Sequence, residues 1–394
     1  MDATQTWTTR TSPNLAPPRR AGVRYRFRRR DAARRPASRP GSAADPERTA
    51  DRAQDRRDRR RWVRRLKALA VFALSALVAA AAAGAWLGSR YLDKLLQPPR
   101  KPLEAWQQQR LDAPGSYGLR LTPATFSGDG GTEIATILAE PAPGGNSQRA
   151  REMRAALQRI GAAHPASGTV IVLHGRGGRK EDFLPAAERF CAAGFRCLLV
   201  DLRAHGESAG DCLTLGVKES ADLRAVLDQA EEAFGKDIGP FAAFGYSMGG
   251  STAVLAAGQD DRLQAVAAIS AFADPRPILG DLLTYKSALG ALPAVRDPAW
   301  EFCRAYARWE AGFDPEANRP ADAAVRLATP IFVAHGTADT FVPPSHGRRL
   351  YDAPAHENKV WRPIPGAGHG DVFLKGGTAL YAEIAAFFAE HLRR

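Results

Sequence analysis

Four cysteines among 394 residues are too few to build a disulfide scaffold. Cys191, Cys197, Cys212 and Cys303 form no C-x-x-C pair and no Cys/His metal spacing, so no metal site is expected. The bland reading is four buried free thiols; in an exported domain Cys212–Cys303 is the speculative disulfide pair. No G-x-x-x-x-G-K-S/T occurs, which excludes a phosphate-binding P-loop. No repeat of 20–50 residues is visible. From residue 68 onward no net basic charge exists. The formal charge of +13 comes from residues 1–67, where 21 Lys and Arg face 7 Asp and Glu. A nucleic-acid-binding domain would carry its basic patch on a folded face, so nucleic acid is not an expected partner.

Residues 1–67 also have few large apolar side chains and carry self-repelling runs such as Arg28-Arg29-Arg30 and Arg59-Arg60-Arg61. They read as a disordered cytoplasmic tail, either simply solvated or meeting anionic lipid. Charge is then missing altogether from Ala68 to Ser89. These 22 residues span about 33 Å as a helix, enough to cross a hydrocarbon core. Arg64, Arg65 and Lys67 precede the run, Arg90 and Lys94 follow it, and Trp62, Trp86 and Tyr91 sit at interfacial positions. The expectation is a transmembrane helix over 68–89, with the N-terminus cytoplasmic and the rest extracytoplasmic. A cleaved signal peptide at Ala83-Gly84-Ala85 is the competing reading, against which stands the length of the basic segment. Residues 90–116, with Pro98, Pro99, Pro102 and Pro114, read as a juxtamembrane linker carrying one short helix at most.

From Tyr117 the pattern becomes that of a folded domain, 117–394. Leu119–Ser127 and Thr132–Glu140 flank Gly128-Asp129-Gly130-Gly131 as a hairpin. Short apolar strands then alternate with helices, beginning with Thr169–Leu173 and ending with a helix over Val372–Leu392. Strands apolar on both faces imply a mostly parallel sheet covered by helices on both sides.

Gly245-Tyr246-Ser247-Met248-Gly249 falls between a predicted strand and a predicted helix, the setting of a nucleophile elbow. There the serine is lifted on a sharp turn, and strand and helix approach so closely that only small residues fit two places either side. A serine nucleophile needs a base and a group to orient that base. Asp339 follows the strand Thr329–His335, and His369 lies in the glycine-rich loop after Lys359–Ile364. The order Ser247, Asp339, His369, each beyond the C-terminal end of a different strand, is the one this chemistry uses in open α/β sheets. Taken singly, Asp339 is equally a turn aspartate and His369 a surface histidine. An oxyanion hole needs two backbone N–H donors. Met248 supplies one, and the loop His174-Gly175-Arg176-Gly177-Gly178 the other, assigned to Arg176 through its main chain.

Together with Asp201-Leu-Arg203-Ala-His205-Gly206-Glu-Ser208, His335-Gly336, Val342-Pro343 and Gly368-His369, these residues make the chain resemble the α/β-hydrolase superfamily over residues 117–394. It is most similar to serine aminopeptidase-like and monoacylglycerol-lipase-like esterases. The resemblance implies an α/β-hydrolase fold, with a mostly parallel central sheet, helices on both faces and a small cap insertion over 272–328, preceded here by one transmembrane helix. It implies that 201–208 is structural or lines the cleft, so His205 is not assigned to catalysis. It further implies a cap carrying Leu282, Leu283, Tyr285, Trp300, Phe302, Tyr306, Trp309 and Phe313 over an apolar acyl pocket, the bland alternative being a helical insertion packed on the core. The expected function is a membrane-anchored serine hydrolase acting on carboxylic esters, with thioesters or amides behind, through an acyl-enzyme and without a cofactor. Its expected partners are a small acyl substrate and the bilayer. Perhydrolase or peptidase chemistry on the same site, and a non-catalytic binding module, stay open as alternatives.

Overall fold

A computed structural model describes residues 46–162, 165–276, 292–317 and 319–392. Eight strands form one sheet: β1 (Leu119–Ser127), β2 (Glu133–Pro141), β3 (Thr169–Leu173), β4 (Arg196–Val200), β5 (Phe241–Tyr246), β6 (Leu263–Ile269), β7 (Ile331–Gly336) and β8 (Lys359–Ile364). Their order is β1-β2-β4-β3-β5-β6-β7-β8. β1 pairs antiparallel with β2, and β2 with β4; every other pairing is parallel. The expected α/β-hydrolase fold is borne out.

Side chains on a strand alternate between faces, and here both faces are apolar. Ile171, Leu173, Ala243, Val266 and Ala268 face one core. Their neighbours Val170, Val172, Ala242, Phe244, Ala265 and Ala267 face the other. The first core is covered by α5 (Val217–Phe234), α6 (Met248–Ala257) and α9 (Pro344–Asp352), through Leu223, Val254 and Leu350. The second is covered by α3 (Gln148–Arg159), α4 (Leu184–Ala192) and α10 (Val372–His391), through Met153, Phe190 and Phe388. Helix α10 is apolar because it is a core helix; it is long enough to span a bilayer, but its buried face explains its composition.

The chain leaves β3 toward β4 on one side and leaves β5 toward β6 on the other. The crevice at the C-terminal ends of β3 and β5 is therefore a topological switch point, where α/β sheets bind ligands.

The N-terminal helix, α1, runs from Pro46 to Leu96. This corrects two expectations. The tail 1–67 is helical from Pro46 onward, because Ala, Arg, Gln and Glu are strong helix formers and acidic residues interrupt the basic runs; residues 1–45 lie outside the described residues. The helix also does not stop at Ser89 but continues seven residues into the expected 90–116 linker. Leu92, Leu95 and Leu96 are buried in the first core, so this stretch is part of the domain. The helix expected in the linker is α2 (Ala105–Asp112). The apolar part of α1 reaches a mean hydropathy of 2.2 over 18 residues with none of them buried. Residues Ala76–Arg394 form one compact unit, to which residues 1–75 do not belong.

Of the cap, Leu282, Leu283 and Tyr285 lie outside the described residues. The described part is chiefly α7 (Pro293–Glu310), followed by α8 (Pro320–Val325). Trp300, Cys303 and Tyr306 of α7 are buried against the first core, and Phe302 packs against Gly88 of α1. This part behaves as a helical insertion packed on the core. All four cysteines are free thiols, with Cys212 half-buried and the others buried.

Candidate active site

Ser247 lies between β5 and α6 with φ 54° and ψ −118°, a conformation that costs about 1–3 kcal/mol for a residue with a side chain. The turn is held by Ser247 N–H donating to the Ile269 carbonyl at 2.8 Å. Gly245 and Gly249 are required by close approach. A Cβ on Gly245 would lie 2.5 Å from the Gly250 nitrogen, and one on Gly249 2.6 Å from the His174 carbonyl oxygen. No side chain fits either place.

His369 follows β8 in the loop leading to α10. Its Nδ1 is 2.7 Å from Asp339 Oδ2, and its Nε2 is 2.9 Å from Ser247 Oγ. With the Nδ1 proton directed to the carboxylate, the Nε2 lone pair faces the serine hydroxyl. The loop is held from below, where Tyr246 donates its hydroxyl to the His369 carbonyl at 2.7 Å. The Phe341 ring flanks the imidazole at 4.9 Å between centroids.

Asp339, just past β7, has a fully buried side chain. Its Oδ1 accepts from the N–H groups of Phe341 at 3.0 Å and Val342 at 2.8 Å. His335 Nε2 lies 3.4 Å from Oδ2 while also meeting the Val342 carbonyl at 2.8 Å. Burial alone would raise the Asp339 pKa, but hydrogen bonds from His335, His369 and Val342 outweigh it and hold the carboxyl well below the usual range. The group is an anion at any working pH. His335 as a second histidine on this carboxylate was not read from the sequence; its position four residues before Asp339 is the only signal.

The loop after β3 lies against the elbow: a Cβ on Gly175 would be 3.3 Å from Ser247 Cβ. Among the described residues no protein group accepts from the N–H of Met248 or of Arg176. Met248 is the first residue of α6, where free N–H groups and the helix dipole favour negative charge. The loop is fixed by His174, whose Nδ1 is 2.8 Å from the Gly175 carbonyl and whose Nε2 accepts from Leu202 N–H at 3.0 Å. Asp201 adds a second tie, accepting from Lys180 Nζ at 2.8 Å, Lys180 N–H at 2.7 Å and Glu207 N–H at 2.9 Å. Burial pushes His174 down to about 4 and His205 to about 3, so both are neutral. His205 is buried beside His174 with Nδ1 on the Arg203 carbonyl, a structural position.

Ser247 opens into a cavity of about 220 Å³. One side is Leu215, Met248, Phe272, Phe341 and Val342; the other is Tyr91, Lys94 and Leu95 of α1. The resemblance implied that the cap would supply this apolar wall. Among the described residues the end of α1 supplies it instead, and Tyr91, Lys94 and Leu95 were placed by sequence reading in a linker. The spacing of Tyr91, Leu92, Leu95 and Leu96, three and four apart, was the available signal of a buried helical face. A larger depression of about 670 Å³ lies behind Gly175–Gly178 and holds none of Ser247, Asp339 and His369. The smaller cavity is taken as the site because Ser247 lines it.

Residues 170–383 match the model of the alpha/beta hydrolase family. An uncharacterised 31.7 kDa Escherichia coli protein of the traX-finO intergenic region is 26% identical over 267 residues, 57% of this chain and 91% of that one. The quorum-quenching protein AidA of Acinetobacter baumannii is 34% identical over 112 residues, 28% of this chain and 37% of that one. Among solved structures, the Pyrococcus furiosus esterase Pf2001 superposes with a TM-score of 0.55 at 18% identity, covering 75% of this chain and 99% of the esterase. At that identity the likeness speaks to the fold. With more than half of its length matched by the family model, a switch-point crevice and a strained serine turn, this chain belongs to the alpha/beta hydrolase family.

Proposed function

We propose that the protein is a membrane-anchored serine hydrolase that cleaves carboxylic esters, with thioesters or amides as the second choice of substrate class. The observation that carries this reading is His369 bridging Ser247 and Asp339 with hydrogen bonds of 2.9 and 2.7 Å beside two free backbone N–H groups. The esterase among the similar folds is consistent with it.

In this reading Ser247 Oγ attacks the ester carbonyl carbon as His369 Nε2 takes the hydroxyl proton. The C=O electron pair moves to oxygen, held by the N–H groups of Met248 and Arg176. Collapse of the tetrahedral species breaks the bond to the leaving alcohol, which receives the proton from His369. Water then attacks the acyl-enzyme, giving its proton to His369, and the acid departs as Ser247 regains its hydrogen. Asp339 stays charged throughout, holding the imidazole tautomer and stabilising the imidazolium. Binding through residues 68–89 places the enzyme in the bilayer, with the N-terminus cytoplasmic by the positive-inside rule.

Labelling of the purified chain with a fluorophosphonate, and its loss in Ser247→Ala, tests the chemistry. Folded protein that neither takes the label nor hydrolyses any of a panel of p-nitrophenyl esters would sink it. Protease protection on intact cells tests the topology: shielding of the domain with an accessible N-terminus reverses the assignment.

A further inference from the structure

The end of α1 is not a tether. Leu92, Leu95 and Leu96 are buried in the core. The Leu96 carbonyl accepts from Leu213 N–H at 2.8 Å. The Arg176 guanidinium caps the last turn, with Nε 2.8 Å from the Leu95 carbonyl and Nη2 on the Lys94 carbonyl. Tyr306 of α7 donates its hydroxyl to Asp93. The same turns present Tyr91, Lys94 and Leu95 to the cavity at Ser247. The last turns of α1 are thus a wall of the site, and Arg176 joins the two.

Within the unit Ala76–Arg394 these contacts fix the height of the site above Ser89, where the apolar run ends. Ser89 ends the run, Tyr91 is two residues beyond it and Leu95 six. At about 1.5 Å per residue these lie roughly 3 and 9 Å along the helix axis. The headgroup layer on each side of a bilayer is about 5–7 Å deep. The cavity therefore opens at headgroup depth, where the ester carbonyls of amphiphiles reside. The exposed cations Arg90 and Lys94, just beyond the run, suit a membrane interface. The cavity is lined mostly by apolar atoms, and at about 220 Å³ it is smaller than the roughly 300–1,000 Å³ of sites for drug-sized ligands. It suits a slim acyl group.

Resting on the serine-hydrolase and anchor readings, we propose that the substrate is an acyl ester amphiphile taken directly from the bilayer, with α1 acting both as anchor and as the wall that sets the depth from which the ester carbonyl is drawn.

The test uses the full chain in phosphatidylcholine vesicles, with monooleoylglycerol in the same bilayer and p-nitrophenyl butyrate in the water. A seven-residue helical insertion of Glu, Lys and Ala ending in a copy of Gly88-Ser89, placed between Ser89 and Arg90, lifts the site by about 10 Å while rotating the helix face by only ~20°. The expected result is at least a tenfold loss of oleate release, with butyrate hydrolysis within twofold of the parent. Oleate release unchanged by the insertion, or a parent chain that cleaves the butyrate ester but not monooleoylglycerol, overturns the proposal. If the insertion disturbs folding and both rates fall, the parent chain still decides. Monooleoylglycerol in its own vesicles should be cleaved at least tenfold faster than the same lipid in separate vesicles; equal initial rates mean the ester arrives through water, and the proposal fails. The underlying readings fail differently: Ser247 left unlabelled by a fluorophosphonate removes the hydrolase, and release of the chain from vesicles by alkaline carbonate removes the anchor.

Discussion

Replacing Gly245 by alanine tests whether the elbow geometry, rather than the mere presence of the three polar residues, makes Ser247 reactive. The added Cβ would sit 2.5 Å from the Gly250 nitrogen, with the Gly249 carbonyl closer still, whereas ordinary contact begins at about 3.4 Å. These neighbours are backbone atoms of a buried helix turn and have no rotamer to escape into. Strand β5 and helix α6 must separate by at least about 0.9 Å, the difference between those two values. A shift of that size at Ser247 stretches the 2.9 Å contact to His369 beyond hydrogen-bonding range. Misplacement of a reacting group by ~1 Å costs on the order of 100-fold in rate, or about 2.7 kcal/mol of barrier. Overpacking should also lower stability by about 1–3 kcal/mol. The assay is the second-order rate of fluorophosphonate labelling together with kcat/KM on a p-nitrophenyl ester, with thermal unfolding in detergent run alongside. A Gly245→Ala protein that keeps its labelling rate within threefold would refute the argument that close strand–helix approach positions the serine.

Asp339→Asn should keep the fold yet lower kcat by about 10⁴-fold, since an amide cannot hold the Nδ1-protonated tautomer; a loss under tenfold would assign the orienting role elsewhere, with His335 the nearest group. Arg176→Met keeps the main-chain donor but frees the carbonyls of Lys94 and Leu95. Loss of hydrogen bonds from a charged group predicts about 1.5–3 kcal/mol of destabilisation, read by thermal unfolding, and a higher KM from the loosened wall; unchanged KM and melting would show the clasp to be idle. A chain starting at residue 100 lacks Tyr91, Lys94 and Leu95 and should be impaired for the same reason. Acid should destabilise the fold well above the carboxylate range. Burial lowers His174 and His346 to about 4 and His205 to about 3 from an ordinary 6.5. The unfolded chain therefore binds more protons below pH 6.5, so stability is full above that pH and falls as pH drops toward 4, by roughly 1.4 kcal/mol per pH unit for each histidine. Denaturant midpoints that stay flat between pH 7 and 5 would contradict this.

The fold was legible because its signals are local. Continuous apolar strands such as Thr169–Leu173, alternating with helices, state a sheet buried on both faces, and the glycines around Ser247 state a turn that admits no side chain. The order of serine, aspartate and histidine beyond successive strand ends is likewise a property of the chain read in one dimension. The apolar run 68–89 declares itself by lacking charge, whatever packs nearby. The helix of Pro46–Leu96 was only half legible, since the composition that suggests a solvated tail also favours a helix.

Tertiary structure alone decided what surrounds the serine. That Arg176 reaches back about 80 positions to cap Lys94 and Leu95, that Tyr91 and Ser247 line one cavity, that Tyr306 meets Asp93, and that His335 shares the carboxylate of Asp339 are consequences of which chain segments the assembled sheet brings together. Such contacts leave no periodicity in the sequence, because the energy that makes them comes from burying surfaces that meet only after the sheet has formed.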